Sequence, residues 1–135
     1  MATPKKFVDK MYRNDPFSQW LGIEILQVDE GYCKVEMTVR DKMTNGFGIA
    51  HGGIAYSLAD SALAFASGSY GKVAPGLNNQ INYLKKVEAG DTLTAVSKVE
   101  NLTRKTGVFN VDVFNQSNEK VAVMRGTVYR MDLDL

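Results

Sequence analysis

NGFGIAHGGIAYSLADSALAFASGSYG, residues 45–71, is a glycine-rich turn running into an almost wholly apolar helix. Between Lys42 and Lys72 the only formally charged side chain is Asp60, and His51, shortly before it, is the chain's single histidine. Residues 53–67 carry apolar or small side chains on nearly every face, from Ile54 and Ala55 through Leu58 and Ala62 to Phe65 and Ala66. A helix that is apolar all round has to be surrounded rather than covered on one side. Asp60 is then expected to be a buried carboxylate, which is costly unless it is paired or hydrogen-bonded. Tyr56 and Ser57, one turn before it, are its nearest possible partners.

Around this helix the period of the sequence changes. Phe7, Val8, Met11 and Tyr12 fall at helical spacing, so residues 4–13 predict a short amphipathic helix ahead of Pro16. From Tyr32 to Arg40, Cys33, Val35, Met37 and Val39 alternate with mostly polar residues, the mark of a half-buried strand. Ile23–Val28 is its expected partner through the turn Asp29-Glu30-Gly31. Further strands are expected at Leu77–Lys85, Thr92–Asn101, Val108–Asn115 and Val121–Met131, and the short polar joins favour sequential antiparallel pairing. The expected architecture is α+β: a curled antiparallel sheet of five to six strands around one long helix. Residues 1–135 read as a single domain, with 1–16 as an N-terminal helical extension.

The totals agree with an ordinary globular domain. The chain has 135 residues, 44% of them hydrophobic and 23% charged, with a formal net charge of +1. That balance supplies no general drive toward nucleic acid or anionic membranes. The N-terminus lacks the apolar core of a secretory signal. The segment from Ile49 to Tyr70 is long enough to span a bilayer, but it holds Asp60, His51 and several serines. One cysteine and one histidine cannot assemble a zinc site. A reduced, cytoplasmic, metal-free domain is expected.

Several residues carry possible chemistry, each beside a plainer explanation. Gly52 and Gly53 sit at the helix start, where unpaired N–H groups and the positive end of the helix dipole could hold the oxygen of a carbonyl under attack. They could equally serve only a tight turn and close packing. Asp60 in a dry site would be a base or nucleophile, or else a satisfied structural carboxylate. Gly52 and Asp60 are about 12 Å apart on one helix at about 1.5 Å per residue. If both serve one reaction, one of them comes from a second subunit across a two-fold axis. His51 has no GxSxG elbow to work with, and its expected task is to orient the turn. Asn45-Gly46 is a common turn dipeptide. Lys85, Lys86, Arg104 and Lys105 fall at strand ends, where they would meet an anionic ligand or act as solvated edge protection. Phe47, Phe65, Tyr56 and Tyr70 would line an acyl pocket or belong to the core.

Asn45-Gly-x-Gly-x-x-His51-Gly52-Gly53, then Leu58-Ala59-Asp60 on a small-residue helix, resembles the hot-dog-fold thioesterases of the phenylacetate-pathway (PaaI-like) group. Ile81-Asn82-Tyr83-Leu84 and Ala89-Gly90-Asp91 resemble that family's next strand and turn, and the likeness runs from about Phe17 to the C-terminus. It implies a long helix wrapped by an antiparallel sheet, homodimers and often dimers of dimers, and hydrolysis of acyl-CoA thioesters with no cofactor beyond the coenzyme A of the substrate. It further implies that the Gly52 amide polarises the thioester carbonyl. Asp60 of the partner subunit then attacks or activates water, Asn45 positions the acid or the water, and His51 and Gly53 shape the turn. Where several relatives carry Ser or Thr to hold that water this chain has Gly76, and Asn78 or Asn79 are the polar side chains at hand. Lys85 and Arg104 are candidates for the anionic part of the substrate. Two rivals are a hot-dog dehydratase of acyl thioesters, which would use a catalytic histidine, and a protein that binds acyl-CoA as a regulatory ligand. Neither fits His51 at a glycine turn or a chain without a basic patch as well as hydrolysis does.

Overall fold

Two helix starts are written the same way in the first sixteen residues, a capping oxygen followed at once by proline. The computed structural model describes residues 2–135. Helix α1 (Pro4–Arg13) starts with the Thr3 hydroxyl accepting from the Lys6 N–H at 3.3 Å. Helix α2 (Pro16–Leu21) starts with the Asp15 carboxylate accepting from the Ser18 N–H at 2.9 Å, and Gly22, at φ +76°, closes it in the left-handed region. Ser18 also gives its hydroxyl proton to Asp15 at 2.6 Å, so the contact with Ser61 Oγ at 2.8 Å has Ser61 as donor. This buried relay fixes α2 against the long helix.

The strands follow as β1 (Glu24–Asp29), β2 (Tyr32–Thr38), β3 (Gly76–Tyr83), β4 (Thr92–Leu102), β5 (Thr106–Phe114) and β6 (Lys120–Tyr129). They form one antiparallel sheet in the order β1-β2-β4-β5-β6-β3. Pairing is sequential for β1–β2 and for β4–β5–β6, as expected. It is not sequential for β3, which crosses to the far edge and pairs with β6, leaving β2 to pair with β4. The long helix between β2 and β3 makes that crossover possible. Bulges interrupt the β1–β2, β3–β6, β4–β5 and β5–β6 ladders, and each extra residue bends its strand and adds twist.

Helix α3 (Gly52–Gly68) packs across one face of the sheet, against β2, β3, β4, β5 and β6. Leu58, Ala59, Ala62, Phe65 and Ala66 pack into the inward alternate residues Val35, Met37, Leu93, Ala95, Phe109, Val111 and Val113, all essentially without solvent exposure. The small side chains let the helix sit low on the strands. At its far end Gly68 and Gly71 leave room for Met11 and Phe7 of α1, which a Cβ at either position would strike. The helix is not surrounded, however. Gly53, Tyr56, Ser57, Asp60 and Ala64 form a stripe that is only partly covered or open, and Asp60 is exposed. The expected buried carboxylate is therefore corrected: composition hides this face because four of its five residues are small or aromatic. Among the described residues no helix is long and apolar enough to cross a membrane.

Cys33 is wholly buried under this core, and burial pushes its thiol up to about 12. An unfolded cysteine ionises near 9. The folded state therefore has no disadvantage below that pH and loses stability as the pH rises from about 9 toward about 12, where only the unfolded chain gains by ionising. Chemical denaturation at a series of alkaline pH values should show this loss, and Cys33→Ala should lack that component of it.

Candidate active site

The turn before α3 is held by its own backbone. Asn45 N–H donates to Ile49 C=O at 2.7 Å, and the Asn45 side-chain oxygen accepts from Phe47 N–H at 2.9 Å and Ile49 N–H at 3.4 Å. Ala50 N–H donates to Val87 C=O at 2.7 Å and His51 N–H to Met43 C=O at 2.8 Å, which ties the turn to its two neighbours. His51 then caps the helix: its Nδ1 accepts from the Gly53 N–H at 2.9 Å. With Nδ1 as acceptor, the neutral ring carries its proton on Nε2.

These bonds decide which amide is free. Gly53 N–H is taken by His51 Nδ1 and Ile54 N–H by His51 C=O at 2.9 Å, whereas Gly52 N–H has no acceptor among the described residues. Gly52 C=O is held by the Tyr83 hydroxyl at 2.8 Å. The Tyr83 ring lies so close that a Cβ on Gly52 would come within 3.2 Å of its hydroxyl, and one on Gly53 within 3.1 Å of His51 Nδ1. Both positions are glycine for close approach, not for backbone conformation. A cavity of about 340 Å³ opens here, lined by Asn45, Ile49, His51, Gly52, Tyr83, Lys85 and Lys86 among others. Lys85 is paired with Glu119, and the side-chain donors of Lys85 and Asn115 hold the Glu119 carboxyl below the usual carboxylate range.

A second groove of about 350 Å³ lies on the other side of His51 and Gly53, lined by Phe17, Trp20, Met43, Ile54 and Ser57. Phe17 and Trp20, three residues apart on α2, stack with ring centroids 6.1 Å apart and remain about half exposed. The Arg40 guanidinium lies 4.9 Å above Trp20 and donates to the C=O groups of Trp20 (2.7 Å) and Leu21 (3.2 Å). It thus holds the end of α2 beside the groove.

The structure brings Asn45, His51, Gly52 and Lys85 around one cavity and puts Gly53 in the wall of the second groove. Asp60 is in neither. It accepts from Asn79 Nδ2 at 2.8 Å, across the gap to β3, and not from Tyr56 or Ser57. Tyr56 instead accepts from the same Asn79 nitrogen at 3.1 Å. Of the two candidate asparagines it is therefore Asn79 that faces α3, while Asn78 is exposed. Arg104 is also apart from the cavity. It lies on the β4–β5 turn, and β6 runs about 25 Å from Val121, at the cavity, to Tyr129, at the Arg104 end. The basic residues at strand ends are two separate groups. Phe65 is core, against Tyr12, and Tyr70 packs beside Gly31.

Tyr83, Asn79, Phe17 and Trp20 also shape this geometry. Asn79, Ile81 and Tyr83 alternate along β3, which puts all three on the same, helix-facing side. Asp15-Pro16 is a helix start that puts Phe17 and Trp20 on one face.

Comparison with known proteins gives the same family. The Thioesterase superfamily model matches residues 47–122, more than half of the chain. The acyl-coenzyme A thioesterase PaaI of Escherichia coli is 42% identical over 121 residues, which is 90% of this chain and 86% of that protein. The solved E. coli PaaI protein from the phenylacetic acid degradation operon superposes with a TM-score of 0.95 at 39% identity, covering 97% of this chain and 95% of that one. A Streptococcus mutans protein solved with acetyl CoA bound superposes at 0.81 and 33% identity, covering 84% and 91%. With a free amide at the head of a sheet-packed helix and this kinship along most of its length, the chain belongs to the thioesterase superfamily, among its PaaI-like hot-dog members.

Proposed function

We propose that the protein hydrolyses an acyl-CoA to the free acid and coenzyme A, with Gly52 N–H as the oxyanion donor. The observation that carries this is the free Gly52 amide at the start of α3, opening onto a cavity with Lys85 and Lys86 on its rim. A thioester oxygen there accepts from an amide already aimed by the helix, and that bond strengthens as negative charge develops. The lysines suit the phosphates of coenzyme A, and Glu119 keeps Lys85 in place until a phosphate competes for it. Asn45 spends its oxygen on the turn, which leaves its Nδ2 as a donor toward the cavity.

Asp60 supplies the base or the nucleophile. Taking a proton from water, it lets the oxygen add to the carbonyl carbon; collapse of the tetrahedral species breaks the C–S bond and the thiolate leaves with a proton. Asp60 is about 12 Å along the same helix from Gly52, so the carboxylate that serves one Gly52 belongs to a second copy. The open stripe of α3 and the adjoining edge strand β3, with Leu77 62% exposed, are the faces such a copy would cover. A homodimer, or a dimer of dimers, built from single-domain chains is the working unit, and the cytoplasm is its compartment. His51 takes no part as a base, since its Nδ1 is committed to Gly53, which counts against a dehydratase. An aryl or medium-length acyl group fits the groove between Phe17 and Ile54, on the far side of the helix start from the lysines.

Two measurements test this. Asp60→Asn should keep the fold and lower kcat for acyl-CoA hydrolysis by about 10²–10⁴-fold, followed by release of free thiol; wild-type turnover in this variant would end the mechanism. Trp20→Ala should lower kcat/KM for phenylacetyl-CoA by roughly tenfold while acetyl-CoA changes little; equal effects on both would remove the groove as the acyl site.

A further inference from the structure

Among the described residues, Asn79 is the one side chain that hydrogen-bonds Asp60 to the sheet. Its Nδ2 donates one hydrogen to Asp60 Oδ1 at 2.8 Å and lies 3.1 Å from the Tyr56 hydroxyl. Its own oxygen, Oδ1, is buried and has no hydrogen-bond partner among the described residues. Turning the amide over would supply no remedy, because that oxygen would then face a carboxylate oxygen, acceptor against acceptor. The carboxylate thus fixes the orientation of the amide, and the cost falls on Oδ1. Space for that oxygen exists because the residue paired with Asn79 on β6 is Gly126; a Cβ there would collide with both Asn79 Oδ1 and Leu63.

We propose that Asn79 is a positioning residue, kept at a cost to stability, that locks the Asp60 carboxylate in one orientation and presents its other oxygen for reaction. Asp60 Oδ2 has no donor among the described residues, so one oxygen is held and the other left open. The same contact sets Tyr56. Its hydroxyl accepts from Asn79, which leaves its own proton for another acceptor. A carboxylate on an exposed helix face would otherwise sample several rotamers, and loss of a fixed geometry lowers the rate of the chemical step rather than the binding of substrate. This rests on the proposal that Asp60 is the reacting carboxylate.

The discriminating variant is Asn79→Leu, nearly the same shape without either polar atom. It removes a buried unpaired oxygen together with the donor to Asp60, so the melting temperature should be unchanged or higher. kcat should fall roughly tenfold to a hundredfold with KM within about twofold. Asn79→Thr, which restores a donor, should recover part of kcat. If Asn79→Leu does not fold, Asn79→Ala takes its place in the same comparison. Wild-type kcat in the leucine or alanine variant, or a loss that threonine does not recover at all, overturns the proposal. Asp60→Asn is measured alongside. If Asp60→Asn is inactive while Asn79→Leu is fully active, only the positioning role fails; if Asp60→Asn is itself active, the underlying mechanism fails.

Discussion

The N-terminus of an α-helix leaves four N–H groups without partners, and where those of α3 find acceptors organises this end of the molecule. His51 satisfies two of them, Gly53 through its ring and Ile54 through its carbonyl, and Gly52 is left over. For His51 to cap in this way the chain before it must be pinned, which is what the bonds from Ala50 to Val87 and from His51 to Met43 accomplish. For Gly52 to remain open, its carbonyl must be held without its amide being covered, and the Tyr83 hydroxyl does that from β3. The free amide is thus a product of surrounding bonds and not of a missing one. A cavity with lysines on its rim and a groove with stacked aromatics beside it diverge from this point.

Much of the fold was legible from residues 45–71 and the alternation around them. Absence of charge marked α3 as a packed helix, and alternation, β-rich composition and short polar turns together placed the strands to within a few residues. What could not be read was pairing that depends on distance along the chain. Nothing in Leu77–Tyr83 distinguishes a strand that joins β4 from one that crosses to β6; that choice is made by the length and placement of α3. Helix α2 escaped for the opposite reason. Six residues are too few to show a period, and only its Asp-Pro cap could have revealed it.

The site was legible where it is local and obscure where it is assembled. Asn45, His51 and Gly52 belong to one turn, but Asn45-Gly46 by itself read as an ordinary turn dipeptide, and it was the family resemblance that grouped the three. Lys85 and Arg104 looked alike in sequence, and a strand's length separates them. The exposure of Asp60 was the hardest to foresee, because its neighbours on that face, Gly53, Tyr56, Ser57 and Ala64, are of kinds commonly found in cores. A face with core-like composition and an open carboxylate satisfies the pattern for burial without being buried in one chain. Local rules fail most where a residue serves something other than stability, the part proposed above for Asp60 and Asn79.

The position of β4 between β2 and β5 has a consequence for how the chain reaches this structure. Strands β4, β5 and β6 are joined by short turns, so their pairing closes only small loops. The β2–β4 ladder, in which Thr38 meets Thr92, can form only after all of α3 and β3 has been looped out between them. The β1–β2, β4–β5 and β5–β6 hairpins therefore have the low-entropy routes, and the β2–β4 ladder that joins them closes the longest loop in the sheet. Before that closure the underside of α3, among the most apolar surfaces in the molecule, has no sheet complete enough to cover it. The longest loop closure in the sheet thus spans the segment that carries Gly52 and Asp60, whose apolar underside is covered only once that closure is made.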